Sequence, residues 1–386
     1  MSRLGRTSRP VLAPALLAPA LLALAGAVLI AACGTQQATV RASGPSPLTA
    51  PLSTSLVTGQ GTWAVAVMGG AAAGDNGFWQ LFVRPAGASR WSLATPPGVA
   101  DNGGLVAAGG GSALTVGLRP SQNLVFSPLA TSTDAGRNWT PGLLDAALAD
   151  TPDSIAVSPS GRILALLQDG TIEAAATARA AAGGQWAPVT TLYALKASAA
   201  GRECGLVGVT AVSFGPNENP VAAGSCSRPG TVGVFSDTGG TWRAAGPGLT
   251  GPAARVPVRV LSLAAGGSMA LLAAGNSVLA AWRDGARWTV SAPVAAGSVR
   301  ALGFGGSGSA WLLLGGGRAE GTGGAGSSWH PLPSVPAGTQ VLVPDTGGGY
   351  EALAADRARL TVWRLAGPSW VRSQQIMVPI QYGSSG

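Results

Sequence analysis

Ser132-Thr133-Asp134-Ala135-Gly136-Arg137-Asn138-Trp139 is the stretch on which the reading of this chain turns. Each residue type has a task in a hairpin turn. A short carboxylate accepts backbone N–H bonds inside the turn. A glycine permits positive φ, and a tryptophan packs the turn onto a sheet. Outward from this stretch, seven of the twelve tryptophans stand in one recurring context: Trp91, Trp139, Trp186, Trp242, Trp288, Trp329 and Trp370, at intervals of 41 to 56 residues. A glycine precedes six of them by three places: Gly136, Gly183, Gly239, Gly285, Gly326 and Gly367. Before Trp91 the nearest glycine is Gly87, four places back. In Asp237-Thr238-Gly239-Gly240-Thr241-Trp242 the aspartate is retained, with Phe235 in the serine's place. Gly324, Ala181 and Leu365 replace it before Trp329, Trp186 and Trp370.

Short apolar runs fill the intervals. The fifth unit reads as four strands over 258–263, 268–272, 277–282 and 288–290, and blade sheets bury both faces, so continuous apolar runs are expected beside alternating ones. The 132–139 stretch matches S-x-D-x-G-x-x-W at every fixed place and so resembles the Asp-box, or BNR, turn. That resemblance implies an all-β chain, a seven-bladed β-propeller over residues 54–386 with degenerate turns, six or eight blades being the alternatives. It places each turn between the third and fourth strands of a blade. Ser132, Asp134, Gly136, Trp139, Asp237, Gly239 and Trp242 then have a structural role.

Composition agrees with a packed β-protein. Hydrophobic residues make up 46% of the 386, charged residues 10%, and mean hydropathy is +0.32. Such a chain is too apolar for disorder, and its 59 glycines and 28 prolines break it into short pieces. Without Arg3, Arg6 and Arg9 it keeps 21 basic against 16 acidic side chains, a balance of +5. The bases are scattered, with one lysine, Lys196, so no nucleic-acid partner is expected.

Those three arginines open the chain, and an apolar stretch follows from Val11 to Ile30. It ends in Leu29-Ile30-Ala31-Ala32-Cys33-Gly34, which resembles a bacterial lipoprotein lipobox. The resemblance implies a signal peptide over 1–32 and lipidation at Cys33. It also implies anchoring to the outer face of the bacterial cytoplasmic membrane. Pro14 and Pro19 argue against a retained transmembrane helix. Residues 33–53, polar and proline-rich, read as a flexible tether.

Cys204 and Cys226 remain, an even pair in an exported chain, and are expected to form a disulfide tying an inserted 193–206 loop to its own blade. No metal site or cofactor is expected, because the chain has a single histidine, His330, and no carboxylate cluster with calcium-loop spacing. His330 directly follows Trp329 and reads as an outer-strand residue, not a triad member. Gly303 to Gly308 fits G-x-G-x-x-G, but no helix follows, so it reads as a β-turn.

Asp-box chains include sialidases, and the alternative function is a divergent sialidase-like glycoside hydrolase. That family needs an arginine triad, a tyrosine–glutamate nucleophile pair and an acid/base aspartate. No early R-I-P-like motif occurs. Tyr350 and Glu351 are adjacent, so on a strand they point to opposite faces. Asp101 and Asp153 have no pairing signature. Similar propellers also include photosystem assembly factors and sortilin-like receptors, so fold does not fix function. The expected function is therefore a non-catalytic scaffold binding a protein or glycan, monomeric, at the cell surface. Its positional hint is Arg259 and Arg300. They occupy matching places in Val258-Arg259-Val260-Leu261 and Val299-Arg300-Ala301-Leu302 on first strands, where they are expected to point toward the channel.

Overall fold

The computed structural model describes residues 55–379, apart from 59–60, 70–76, 97–103, 109–113, 119–128, 135, 142–151, 306–307 and 346–348. Cys33, the segments expected as signal peptide and tether, and Asp101 lie outside the described residues.

The described strands form seven antiparallel four-strand units, at 55–93, 104–141, 154–190, 206–244, 258–290, 299–331 and 339–377. In each the strands pair in chain order. The fourth and fifth units share one sheet, because Ser225 and Cys226 pair with Arg259 and Val258. The fold is a β-propeller, and the units are its blades.

The sequence explains the layering. Second strands are mostly apolar, and Ile163–Leu166, Met269–Ala274 and Ala310–Leu314 are buried at every residue. Several fourth strands are short and more polar, as in Arg287–Val290 and His330–Pro331, whereas that of the seventh blade, Ser369–Met377, has nine residues. No blade covers its own two faces, so each depends on its neighbours. Trp63, Val65, Leu81 and Val83 of the first blade pack with Leu114 and Val116 of the second. Gly104–Ala108 of the second lies beside Ser154–Val157 of the third. Shared clusters continue between the third and fourth, fourth and fifth, and fifth and sixth blades.

The last core cluster joins Trp311 and Leu313 of the sixth blade, Leu342 and Leu353 of the seventh, and Ala64, Phe82 and Trp91 of the first. The ring is therefore closed, and among the described residues no strand is exchanged to close it. Side chains bridge the seam. The Gln340 amide accepts from Val67 N at 2.7 Å and donates to Val67 O at 2.8 Å. The Gln374 amide treats Trp91 in the same way, at 2.8 Å each. Glu351, its side chain 2% exposed, pairs with Arg84 at 2.7 Å and accepts from Trp91 Nε1 at 3.0 Å.

The stretch expected as an inserted loop is helical. Leu192–Ala197 and Ala199–Cys204 form two short helices between the third and fourth blades. Their physical cause lies in three small signals. The Thr191 hydroxyl accepts from Ala194 N and the Ser198 hydroxyl from Gly201 N, each capping one helix. Gly205 ends the second helix at φ +65°.

Candidate functional site

The helical pair stands at the end of the propeller where each first strand begins, and the Cys204–Cys226 disulfide pins it there. Leu195, Ala200 and Cys204 are buried in the core shared by the third and fourth blades. Backbone bonds extend the pin: Ser227 N donates to Gly205 O at 3.0 Å and Arg228 N to Cys204 O at 3.2 Å. The loop after Cys226 then crosses to the fifth blade, where Gly230 N donates to Val256 O at 3.1 Å.

This stitching gathers cations from three separate connections. Lys196 and Arg202 come from the helical pair, Arg228 from the loop after Cys226, and Arg255 from the Gly251–Arg255 turn. All four are exposed. Among the described residues none of them makes an ion pair, and Arg202 donates to Ala197 O. Arg259 lies beside them, half-buried, its strand paired to Ser225 next to the disulfide. Burial holds its guanidinium pKa below the ordinary arginine value. Acids at this end of the propeller include Glu203, Asp153 and Asp169, all exposed, and Asp169 spends its two carboxylate oxygens on Thr171 N and Oγ1. A disulfide-braced surface with this excess of cations attracts anions.

The structure separates the two arginines singled out by sequence. Arg300 is exposed and sits at a register shift between Val299 and Ala301. Arg259 holds regular pairs with Ala273 and Ser225, and its own strand shifts later, between Val260 and Ser262. Their place in the repeat is a polar layer that sequence comparison of two blades missed. Counting back from the residue that closes the turn between first and second strands, Asp153, Thr210, Arg259, Arg300 and Gln340 are equivalent. Thr210 donates to Val260 O at 2.6 Å, and Gln340 binds Val67, so two members of the layer reach into the next blade.

The two aspartate turns also differ. Ser132 Oγ donates to Asp134 Oδ1 at 2.9 Å and accepts from Gly136 N at 2.8 Å. Asp134 accepts from Asn138 N at 2.8 Å and Asn138 Nδ2 at 2.6 Å. These bonds hold its carboxyl down at a pKa of about 2. Gly136, at φ +80°, lies against the Trp63 ring, where a Cβ would come within 3.0 Å. Trp139 packs on the core shared by the first two blades. The capped turn expected at Asp237 is absent. Gly239 and Gly240, both at positive φ, form a two-residue hairpin, so Asp237 pairs with Trp242 inside the strands. Phe235 brings no hydroxyl, and Asp237 Oδ1 is buried without a hydrogen-bond partner among the described residues.

Other sequence candidates lie apart. Glu351 faces Arg84 and Trp91 of the first blade, whereas a Cβ on Gly321 of the sixth would fall 2.2 Å from the Tyr350 hydroxyl. The two side chains therefore address different neighbours and form no nucleophile pair. His330 is exposed on an outermost strand. Gly305 N donates to Ser309 O, closing a turn between strands. Among the described residues no group of three His, Cys, Asp or Glu is placed to hold a metal ion. No described helix is long and apolar enough to cross a membrane.

Among solved structures, a protein from Lactobacillus plantarum is similar to this chain at 11% identity and a TM-score of 0.51, over 83% of this chain and 97% of that one. YCF48 from Cyanidioschyzon merolae is 15% identical at a TM-score of 0.47, over 81% and 95%. A GH74 enzyme from Niastella koreensis is 14% identical at 0.26, over 82% and 61%. No family profile and no curated protein matches the sequence. The first of these likenesses speaks for the fold alone.

Proposed function

We propose that this protein is a non-catalytic docking propeller of the Asp-box type. In this reading it is held at the outer face of the bacterial cytoplasmic membrane by lipid on Cys33, and binds an anionic protein or glycan. The observation that carries the docking is the gathering of exposed Lys196, Arg202, Arg228 and Arg255 around the Cys204–Cys226 bridge, beside half-buried Arg259. Exposed cations that make no ion pair among the described residues leave the attraction for a ligand, and arginine forks suit carboxylate and sulfate oxygens.

Two measurements test the proposal. Arg228→Glu with Arg255→Glu should abolish binding of polyglutamate and heparin probes by the purified protein, with unchanged melting. Wild-type binding by the double variant sinks the assignment of this surface. Separately, Cys33→Ala should abolish palmitate labelling and release the protein from membranes. A variant that labels and fractionates like wild type refutes the anchor.

A further inference from the structure

Five large hydrophobic side chains are exposed among the described residues, and Tyr193 is the most exposed of them at 83%. It stands in the first turn of Leu192–Ala197. Val207, at 56%, follows the second helix. An exposed tyrosine on a loose loop would mean little. Tyr193 is mounted on a braced support. Leu192, next to it, is wedged against the loop of the third blade, where a Cβ on Gly170 would fall 2.8 Å from Leu192 Cβ. Leu195, two places on, is fully buried. Both helices are capped, and the disulfide fixes the far end. A support ordered in advance lowers the cost of binding, and tyrosine brings contact area with few rotors to freeze.

The surroundings specify the chemistry. Exposed Lys196 lies one helical turn from Tyr193 on the same helix face. Arg202 and Arg228 flank the disulfide. Beside Tyr193 along the chain stand Ala194, Lys196 and Ala197, which offer no side-chain acceptor for sugar hydroxyls. Asp169, the acceptor in the adjoining loop, is engaged with Thr171. Resting on the docking reading above, we infer that the helical pair is the recognition element, and that its partner is an acidic protein segment carrying an apolar side chain that packs on Tyr193. Carboxylates meet Lys196, Arg202 and Arg228, and the apolar group meets the phenol ring.

The test uses two labelled peptides, one of glutamates alone and one of glutamates with interspersed leucines, and measures anisotropy with the folded full chain. The mixed peptide should bind more tightly. Tyr193→Ala should weaken it by at least about tenfold, as for a central interface aromatic, while leaving the all-glutamate peptide within about twofold of wild type. Arg228→Glu should weaken both. Equal binding of the mixed peptide by wild type and Tyr193→Ala overturns the recognition element, and if Arg228→Glu still weakens binding the wider docking reading stands. Loss with neither variant removes both. Binding of heparin with no binding of either peptide also overturns the inference, in favour of a glycan.

Discussion

Asp134 sets its carboxylate against the Asn138 amide and the Ser132 hydroxyl, and these bonds favour the charged form. Its pKa falls from 3.8 to about 2 in the folded chain. A depressed folded pKa gives stability that is present above the unfolded value and lost as pH falls through the folded one. Between those two values, melting of wild type should fall with an added slope that Asp134→Asn lacks. Identical acid slopes in wild type and Asp134→Asn would remove the turn from the account. Tyr350 gives the opposite sign. Burial raises its phenol from 10.0 to about 12, so the neutral form's contribution is whole below the unfolded value and lost as pH rises through the folded one. A phenolate absorbance titration of native protein should show a late step that Tyr350→Phe deletes. A titration without that late step in wild type would contradict the burial of this ring against Gly321.

At the scale of elements, strands were legible and helices were not. The fifth blade reads from sequence as 258–263, 268–272, 277–282 and 288–290, and the structure has Val258–Leu263, Met269–Ala274, Ser277–Asp284 and Arg287–Val290. Its apolar runs are long, and glycines bound them. The two helices of the insertion have six residues each, too short to stand by propensity. Thr191 and Ser198 read as loop residues until their hydroxyls are seen to cap. The cationic surface was hidden for a related reason. Arg202, Arg228 and Arg255 lie on separate connections, and only the disulfide and the Ser225–Arg259 pairing bring those connections together. The bridge spans 22 residues, and the chain-entropy relation gives it about 3 kcal/mol. Cys204→Ser with Cys226→Ser should lose about that much in denaturant unfolding and should expose 192–205 to protease before the blades. Retained protection of this segment would show that packing of Leu195 and Ala200 suffices without the bridge.

The whole molecule rests on how its first and last blades meet. Each blade is made from consecutive strands, so the ring has a seam at which two complete blades touch. Apolar packing there is continuous with the sixth blade. Polar bridges cross the seam as they cross other junctions, such as Val212 N to Ser154 Oγ and Thr210 to Val260 O. Gln340 and Gln374 each bind both the N–H and the C=O of one residue in the first blade, as a neighbouring strand would. Between them Glu351 holds Arg84, with Arg364 at 3.5 Å, while the Arg84 guanidinium stacks over Trp91. Removing the buried carboxylate strands Arg84, which is 13% exposed, in a site built for an ion pair. The expected cost of Glu351→Ala is about 3–5 kcal/mol, the usual penalty for breaking a buried pair from one side. Arg364 is half-exposed and contributes little, since water screens it. The loss should also be local in origin. Hydrogen exchange in Glu351→Ala should rise first in Gly61–Gly69 and Tyr350–Asp356, with Met269–Ala274 on the far side of the ring still protected. Gln374→Ala should give the same spatial pattern at smaller amplitude. Exchange that rises evenly around all the blades would mean that the ring melts as one unit, and that these side chains are not what holds the seam shut.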